Sequence, residues 1–343
     1  MPLVGVRSSP ELGDSIARFL MRTFGTDAQS EAFHELDAQS KAFQRWKYWD
    51  THPLCADSRS HVLLDGETIV AHGCCWPVLL EGAFGELPSM HLIDWAADRK
   101  VPGAGMQVLR LCQKDVAGAI AIGGSEMTRK IIPAFGYKPY NSISFLYRPL
   151  RPISPALSLK DWKMPARILR NLGQYSFPRA SMPAGWRVSR VEPSEISESL
   201  FPRPLTDEAV SMRSPELLTH IMKCPVVQDA SCYVLHHRNA ARAYFCLIYL
   251  RGQARLVDFG PVNLDRQTAT ALGLAAQCVA RSDFKKVLDI HVATTEQSVR
   301  EGLVRSGFRV KAEEPIKVVK LNGALKNTNR FRLTLIDWDA AVL

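Results

Sequence analysis

Apolar residues recur along the chain in two alternating rhythms. Ile16, Phe19, Leu20 and Phe24 share one helical face, so residues 6–25 read as a short strand leading into an amphipathic helix. Residues 31–50 form a second amphipathic segment that ends in Arg45-Trp46-Lys47-Tyr48-Trp49-Asp50. His61–Leu64 and Thr68–Trp76 flank Asp65-Gly66, the pattern of a hairpin. A second strand pair is expected at about 76–80 and 88–97, then a helix from Met106 to Ala117 and a buried strand from Ala119 to Ile122. A helix over Glu126–Phe135 is stopped by Gly136, and a strand over Ser142–Tyr147 closes the series.

The second half repeats the plan. Cys232–His236, an Arg-Asn turn and Arg242–Leu250 match the first hairpin, and Arg255–Phe259 matches His91–Trp95. A helix over Thr268–Arg281, a strand over Val287–Val292 and a helix over Glu296–Ser306 follow. Gly307-Phe308 then stands where Gly136-Tyr137 stands, and late strands are expected at Pro315–Leu321 and Phe331–Ile336. The same element order twice argues for a tandem duplication. Between the halves, Pro149, Pro152, Pro155, Pro165, Pro178 and Pro183 punctuate a stretch with one helix-like piece, Ala166–Leu172. Trp162, Leu169, Tyr175 and Phe177 would pack this stretch onto the surface. The expected organisation is a first domain over 1–150, a connection over 151–183 and a second domain over 184–343. Each domain would be of the α+β class, a mixed and mostly antiparallel sheet flanked by helices.

Composition narrows the function. At 46% hydrophobic and 22% charged, the chain reads as a globular protein. It lacks an apolar run of membrane-spanning length, and its first residues lack the layout of a secretory signal, so the cytoplasm is the expected compartment. The net charge of +9 comes from dispersed basic residues, which argues for a solvated basic surface and against a nucleic-acid partner. Eight cysteines are scattered without CxxC spacing, so neither a disulfide framework nor a metal site is expected. His72-Gly73-Cys74 lacks a second ligand pair in sequence, and the vicinal Cys74-Cys75 lacks a paired base.

The chemistry-bearing segment is Arg99-Lys100-Val101-Pro102-Gly103-Ala104-Gly105, between a strand ending at Asp98 and a helix starting near Met106. A helix start offers unpaired amides and a partial positive charge, which suit phosphate. Gly103 and Gly105 let the backbone approach a ligand, and Arg99 and Lys100 add cationic charge. A Walker loop needs GxxxxGK[ST], which is missing, and a dinucleotide fingerprint needs a small residue where Val108 stands.

Lys100-Val101-Pro102-Gly103-Ala104-Gly105 resembles the pyrophosphate-binding signature of the GNAT acyltransferases, Arg/Gln-x-x-Gly-x-Gly/Ala, with Lys100 in place of the usual first residue. The element order of residues 4–148 also resembles that family. The resemblance implies acetyl-CoA or another acyl-CoA as donor, with its pantetheine arm along Ala96, Ala97 and Asp98. It further implies pyrophosphate on Arg99, Lys100, Val101, Pro102, Gly103, Ala104, Gly105 and Met106, and a cofactor contact at Ser125. The acceptor would be a small-molecule or peptide amine, held between the two halves. The second half has Asn263-Leu264-Asp265-Arg266-Gln267-Thr268 at the corresponding place, without GxG, and reads as a degenerate copy.

Acyl transfer needs a base for the amine, stabilisation of the oxyanion and a proton for the departing thiolate. The family's helix tyrosine would fall at Ile132, and at Leu303 in the second half, and neither can donate a proton. Asp94 and His91 are the leading base candidates, with His72, Glu81 and Tyr140 behind them. Asp258 matches Asp94 in the silent copy, which speaks for a structural acceptor instead. The cluster Trp46-Lys47-Tyr48-Trp49 reads as a core anchor before it reads as an acceptor-binding wall. A non-catalytic acyl-CoA-binding protein, or a transferase using another donor, is the alternative.

Overall fold

The structure is a computed structural model that describes residues 2–24, 38–151, 181–284, 286–321, 323, 325 and 327–342. The first half runs β1 (Val4–Arg7), α1 (Gly13–Phe24), α2 (Ala38–Tyr48), β2 (Ser60–Asp65), β3 (Thr68–Gly82), β4 (Gly85–Ala97), α3 (Ala104–Gln113), β5 (Gly118–Ile122), α4 (Glu126–Ile131) and β6 (Lys138–Pro149). The second half runs β7 (Trp186–Val191), β8 (Glu208–Ser211), α5 (Pro215–Met222), β9 (Asp229–His237), β10 (Ala240–Leu250), β11 (Gln253–Gly260), α6 (Arg266–Asp283), β12 (Asp289–Thr294), α7 (Gln297–Arg305), β13 (Arg309–Lys320) and β14 (Arg330–Arg332).

Local chemistry accounts for most of these elements. Ile16, Phe19 and Leu20 of α1 are buried as their spacing predicts, while Phe24 lies exposed at the helix end. The first hairpin turns at Gly66 and Glu67, one residue later than expected, with Gly66 in the left-handed region. In the second hairpin Arg238 and Asn239 both take positive φ, which matches the right-handed strand twist. Gly136 caps its helix with φ 81°, as expected.

Three expectations change. The pieces at 68–76 and 76–80 are one fifteen-residue strand, β3, because Pro77 sits within its pairing with β4 without ending it. The helix after the glycine loop starts two residues early and ends at Gln113. Only Phe331 and Arg332 of the expected strand over 331–336 pair, within β14; Leu335–Asp337 is a 3-10 turn, tied by a reciprocal cap between Thr334 and Asp337. The helix-like piece at 166–172, its flanking aromatics and residues 31–37 of the second segment lie outside the described residues.

The two halves share one sheet, in the order β1-β2-β3-β4-β5-β13-β6-β12-β11-β10-β9-β7. At its centre the halves exchange strands. β13 of the second half pairs antiparallel with β5 of the first, and β6 of the first pairs antiparallel with β12 of the second. β13 and β6 then pair with each other over Arg309–Val318 and Lys138–Tyr147. One hydrophobic cluster accordingly runs from Ile16 and Trp76 through Val234 and Tyr244 to Trp338. The closing segment, residues 333–342, is buried almost throughout between the halves.

Candidate functional site

In each half a parallel pair of neighbouring strands opens into a fork. β4 and β5 pair only over Ser89–His91 and Gly118–Ile120, and β11 and β12 only over Gln253–Leu256 and Asp289–Val292. Beyond those points each pair diverges. Both strands of a parallel pair end on the same side, so the loops that follow them flank one fork mouth. In the first half these are the glycine loop after β4 and Gly123-Gly124-Ser125 after β5.

The first fork leads to a built loop. Lys100 N donates to Asp98 Oδ1 at 2.9 Å and Val101 N to Asp98 O at 3.1 Å, which turns the chain sharply after β4. Gly103 caps α3 with φ 80°, a conformation that penalises a side chain, and a Cβ there would meet nothing within 4 Å. The space above the cap is therefore open. Ala104 N donates back to Val101 O at 3.2 Å, and the amides of Gly105 and Met106 open the helix without intrahelical acceptors. Trp95 Nε1 donates to Gly105 O at 2.9 Å, and a Cβ on Gly105 would come within 3.3 Å of Ala97. Gly105 thus serves close packing of helix on strand, whereas Gly103 serves the turn. Arg99 and Lys100 are exposed beside the loop, and Met106 is partly exposed. Ser125 is an exposed N-cap, accepting from Thr128 N at 3.2 Å.

The second fork is filled by the chain itself. Arg332 Nη2 donates to Phe259 O at 3.1 Å and Pro261 O at 3.0 Å on one arm. Leu333 N donates to Thr295 Oγ1 at 3.2 Å on the other. Arg332 also pairs with Glu296. Asp265 caps α6 through Thr268 N at 2.9 Å, placing a carboxylate where the first half has Gly103.

Asp94 lies on a β-bulge, where Gly73 of β3 faces both Asp94 and Trp95 of β4, and Asp94 takes φ 48°. Its Oδ2 receives Lys47 Nζ at 2.7 Å and the Tyr48 hydroxyl at 2.7 Å. Lys47 Nζ also reaches Asp339 at 2.8 Å, and its side chain is 1% exposed. Burial works to raise the Asp94 carboxyl, but the Lys47 charge outweighs it and holds it below the ordinary value. Burial together with the Asp94 charge pushes Asp339 up, so Asp94 carries the negative charge in preference. The second half repeats this arrangement: at a bulge in β11, Asp258 receives Arg213 Nε at 2.9 Å, Thr334 Oγ1 at 2.7 Å and the Tyr244 hydroxyl. Arg213 also binds Asp337 at 2.9 Å. Two buried cations thus pin the closing segment, one from each half.

His91 stands at the base of the first fork, its Nε2 accepting from Ile122 N at 3.3 Å and its ring edge-on to Trp338. Burial lowers it to about 4, so it is neutral at neutral pH with its basic nitrogen engaged. His72 bridges the Asp94 carbonyl at 3.0 Å and Ser60 Oγ at 2.9 Å, and burial lowers it likewise to about 4.

No family model and no curated protein matches the sequence. Solved structures do match its shape. A GCN5-related N-acetyltransferase from Anabaena variabilis superposes with a TM-score of 0.57 at 8% identity, over 94% of this chain and 73% of that one. A tandem GNAT protein from the clavulanic acid biosynthesis pathway gives 0.53 at 13% identity, over 94% and 100%. The N-myristoyltransferase of Saccharomyces cerevisiae, solved with bound myristoyl-CoA, gives 0.57 at 12% identity, over 93% and 79%. The chain carries a tandem GNAT fold.

Within the GNAT fold, the glycine loop and Ser125 come together at the mouth of the first fork, while Asp94 and His91 lie along its β4 arm. Neither of the two suits a general base. Asp94 is neutralised by Lys47, its counterpart Asp258 is neutralised in the same way, and the His91 lone pair is taken by a backbone amide. Ile132 and Leu303, where a GNAT helix tyrosine would stand, are both buried in the core. Trp46, Lys47 and Tyr48 are buried too and anchor α2 to the core. Sequence reasoning missed Asp339, Arg213 and Asp337, whose ion-pair partners lie 45 to 292 residues away. Its place between two aromatic residues, Trp46 and Tyr48, was the one signal for Lys47. An arginine-lined cleft opens between α6 and α7 of the GNAT fold's second copy, but Arg266 there pairs with Glu301 and Arg300 with Glu313.

Proposed function

We propose that the chain is a CoA-dependent N-acyltransferase, in the first instance an acetyltransferase, with donor binding assigned to residues 1–150. One contrast carries the reading: the first fork opens onto a glycine-capped helix start with free space above it, whereas the second fork is filled by Arg332–Thr334. The pyrophosphate of acetyl-CoA or another acyl-CoA would lie on the amides around Gly103, Ala104, Gly105 and Met106, with Arg99 and Lys100 beside it. The pantetheine arm would follow Ala96, Ala97 and Asp98 into the fork, within reach of Ser125. The acceptor amine attacks the thioester carbon, the C–N bond forms, the C–S bond breaks, and the thiolate leaves with a proton. Asp94 holds the bulge that shapes the β4 arm, as a positioning residue. The acceptor, a small-molecule or peptide amine, approaches from the seam between the halves. The fold similarity to acyl-CoA-using proteins supports this reading.

Acyl-CoA binding without turnover is the second reading, favoured by the burial of Ile132 and Leu303. Calorimetric titration of acetyl-CoA into the wild type and Gly103→Glu, followed by thiol release over an amine panel, separates the two. Binding lost in the variant together with turnover supports the transferase. Binding without thiol release supports the second reading, and no binding to the wild type removes both.

A further inference from the structure

His61 of β2, Cys75 of β3 and Cys112 of α3 meet beneath the cofactor-loop helix although the sequence separates them widely. One ring nitrogen and the two Sγ atoms lie within 4.8 Å of one another. His61 Nδ1 is 3.8 Å from Cys112 Sγ. A metal bound at the usual zinc–nitrogen and zinc–sulfur lengths places such a pair about 3.6–3.8 Å apart, between tetrahedral and trigonal angles. The bare backbone of Gly73 admits the thiol: a Cβ there would sit 3.0 Å from Cys112 Sγ. All three side chains are buried. Cys75 Sγ donates a weak thiol hydrogen bond to Cys112 O at 3.5 Å, so coordination displaces little. Around the cluster stand Met90, Leu92, Leu109 and Ala119, which offer no competing charge.

We propose that His61, Cys75 and Cys112 bind a zinc ion that clamps α3 to β2 and β3. Each thiol gives its proton to solvent, and two thiolates with a neutral imidazole balance the double positive charge. An apolar interior tolerates that neutral set, whereas copper(I) would leave a net negative charge there. Cys232 and Cys246, also buried near each other, form no such group of three with a histidine among the described residues. The clamp holds the far end of the helix whose first turn carries Gly103 and Gly105, but metal content is read without any acyl-CoA.

The test is metal analysis of the full chain refolded with zinc and dialysed free of excess. About one equivalent is expected, with about two protons released on binding. Cobalt(II) exchange into the wild type should give a near-ultraviolet thiolate charge-transfer band, a readout that needs no variant. Cys112→Ser should lower zinc affinity at least about tenfold, while Cys278→Ser, outside the cluster, keeps it. Zinc absent from the wild type, a cobalt spectrum without thiolate bands, equal zinc affinity in Cys112→Ser, or copper(I) in place of zinc would each overturn the assignment.

Discussion

Lys47→Met tests how the centre of the molecule is held. Lys47 Nζ sits 2.7 Å from Asp94 and 2.8 Å from Asp339, and all three side chains are 10% exposed or less. Methionine fills most of the volume but leaves two carboxylates facing each other without a cation. Removing one member of a buried ion cluster typically costs about 3–5 kcal/mol, because the remaining charge keeps its desolvation penalty. Guanidinium denaturation at neutral pH should show a loss of that size. The triple variant Lys47→Met/Asp94→Asn/Asp339→Asn should recover most of it, since an uncharged set no longer demands a partner. The pH dependence has a definite sign. Asp94 is depressed in the fold, so its contribution is present above its unfolded value and disappears as pH falls through the folded one. The gap between wild type and Lys47→Met should therefore narrow in acid, below about pH 4. A variant within about 1 kcal/mol of wild type at neutral pH would refute the reasoning, and would return Asp94 to the list of groups free for chemistry.

Three further outcomes follow from the same contacts. Asp94→Asn should destabilise the fold by about 1–3 kcal/mol while leaving acyl transfer within about threefold of wild type, by denaturation and thiol release; a tenfold loss of turnover in a folded variant would make Asp94 a base. His72 and His91 are neutral in the fold, each lowered to about 4, while the unfolded chain takes up protons from about pH 6.5 downward. Stability should fall between those values by up to about 3 kcal/mol per histidine, and a His91→Gln denaturation profile should be flatter than wild type over that range. Arg332→Met should cost about 2–4 kcal/mol by breaking the buried contacts to Glu296, Phe259 O and Pro261 O, yet give no second acetyl-CoA site by calorimetry, because Asp265 still caps α6.

Sequence patterns carried the local part of this structure. Residues a few positions apart determined the amphipathic face of α1, the Arg238-Asn239 turn, the Gly136 stop and the glycine cap of α3, because each depends on propensities and spacing within one or two turns. The repeat of element order, read from the same patterns, foresaw two copies of one plan, and the loss of GxG after Gly260 marked the second as different. Tertiary structure decided what lay between distant segments. The exchange of β6 and β13 cannot be read from either strand, since antiparallel pairing looks the same whichever half supplies the partner. Asp94 looked like a base in sequence because nothing nearby showed that Lys47 would reach it, or that Asp339 would share the charge. The closing segment looked like a strand by its alternation. In the fold its residues instead satisfy a buried arginine, a buried lysine and the open arms of the second fork, contacts that require the whole chain to be assembled first.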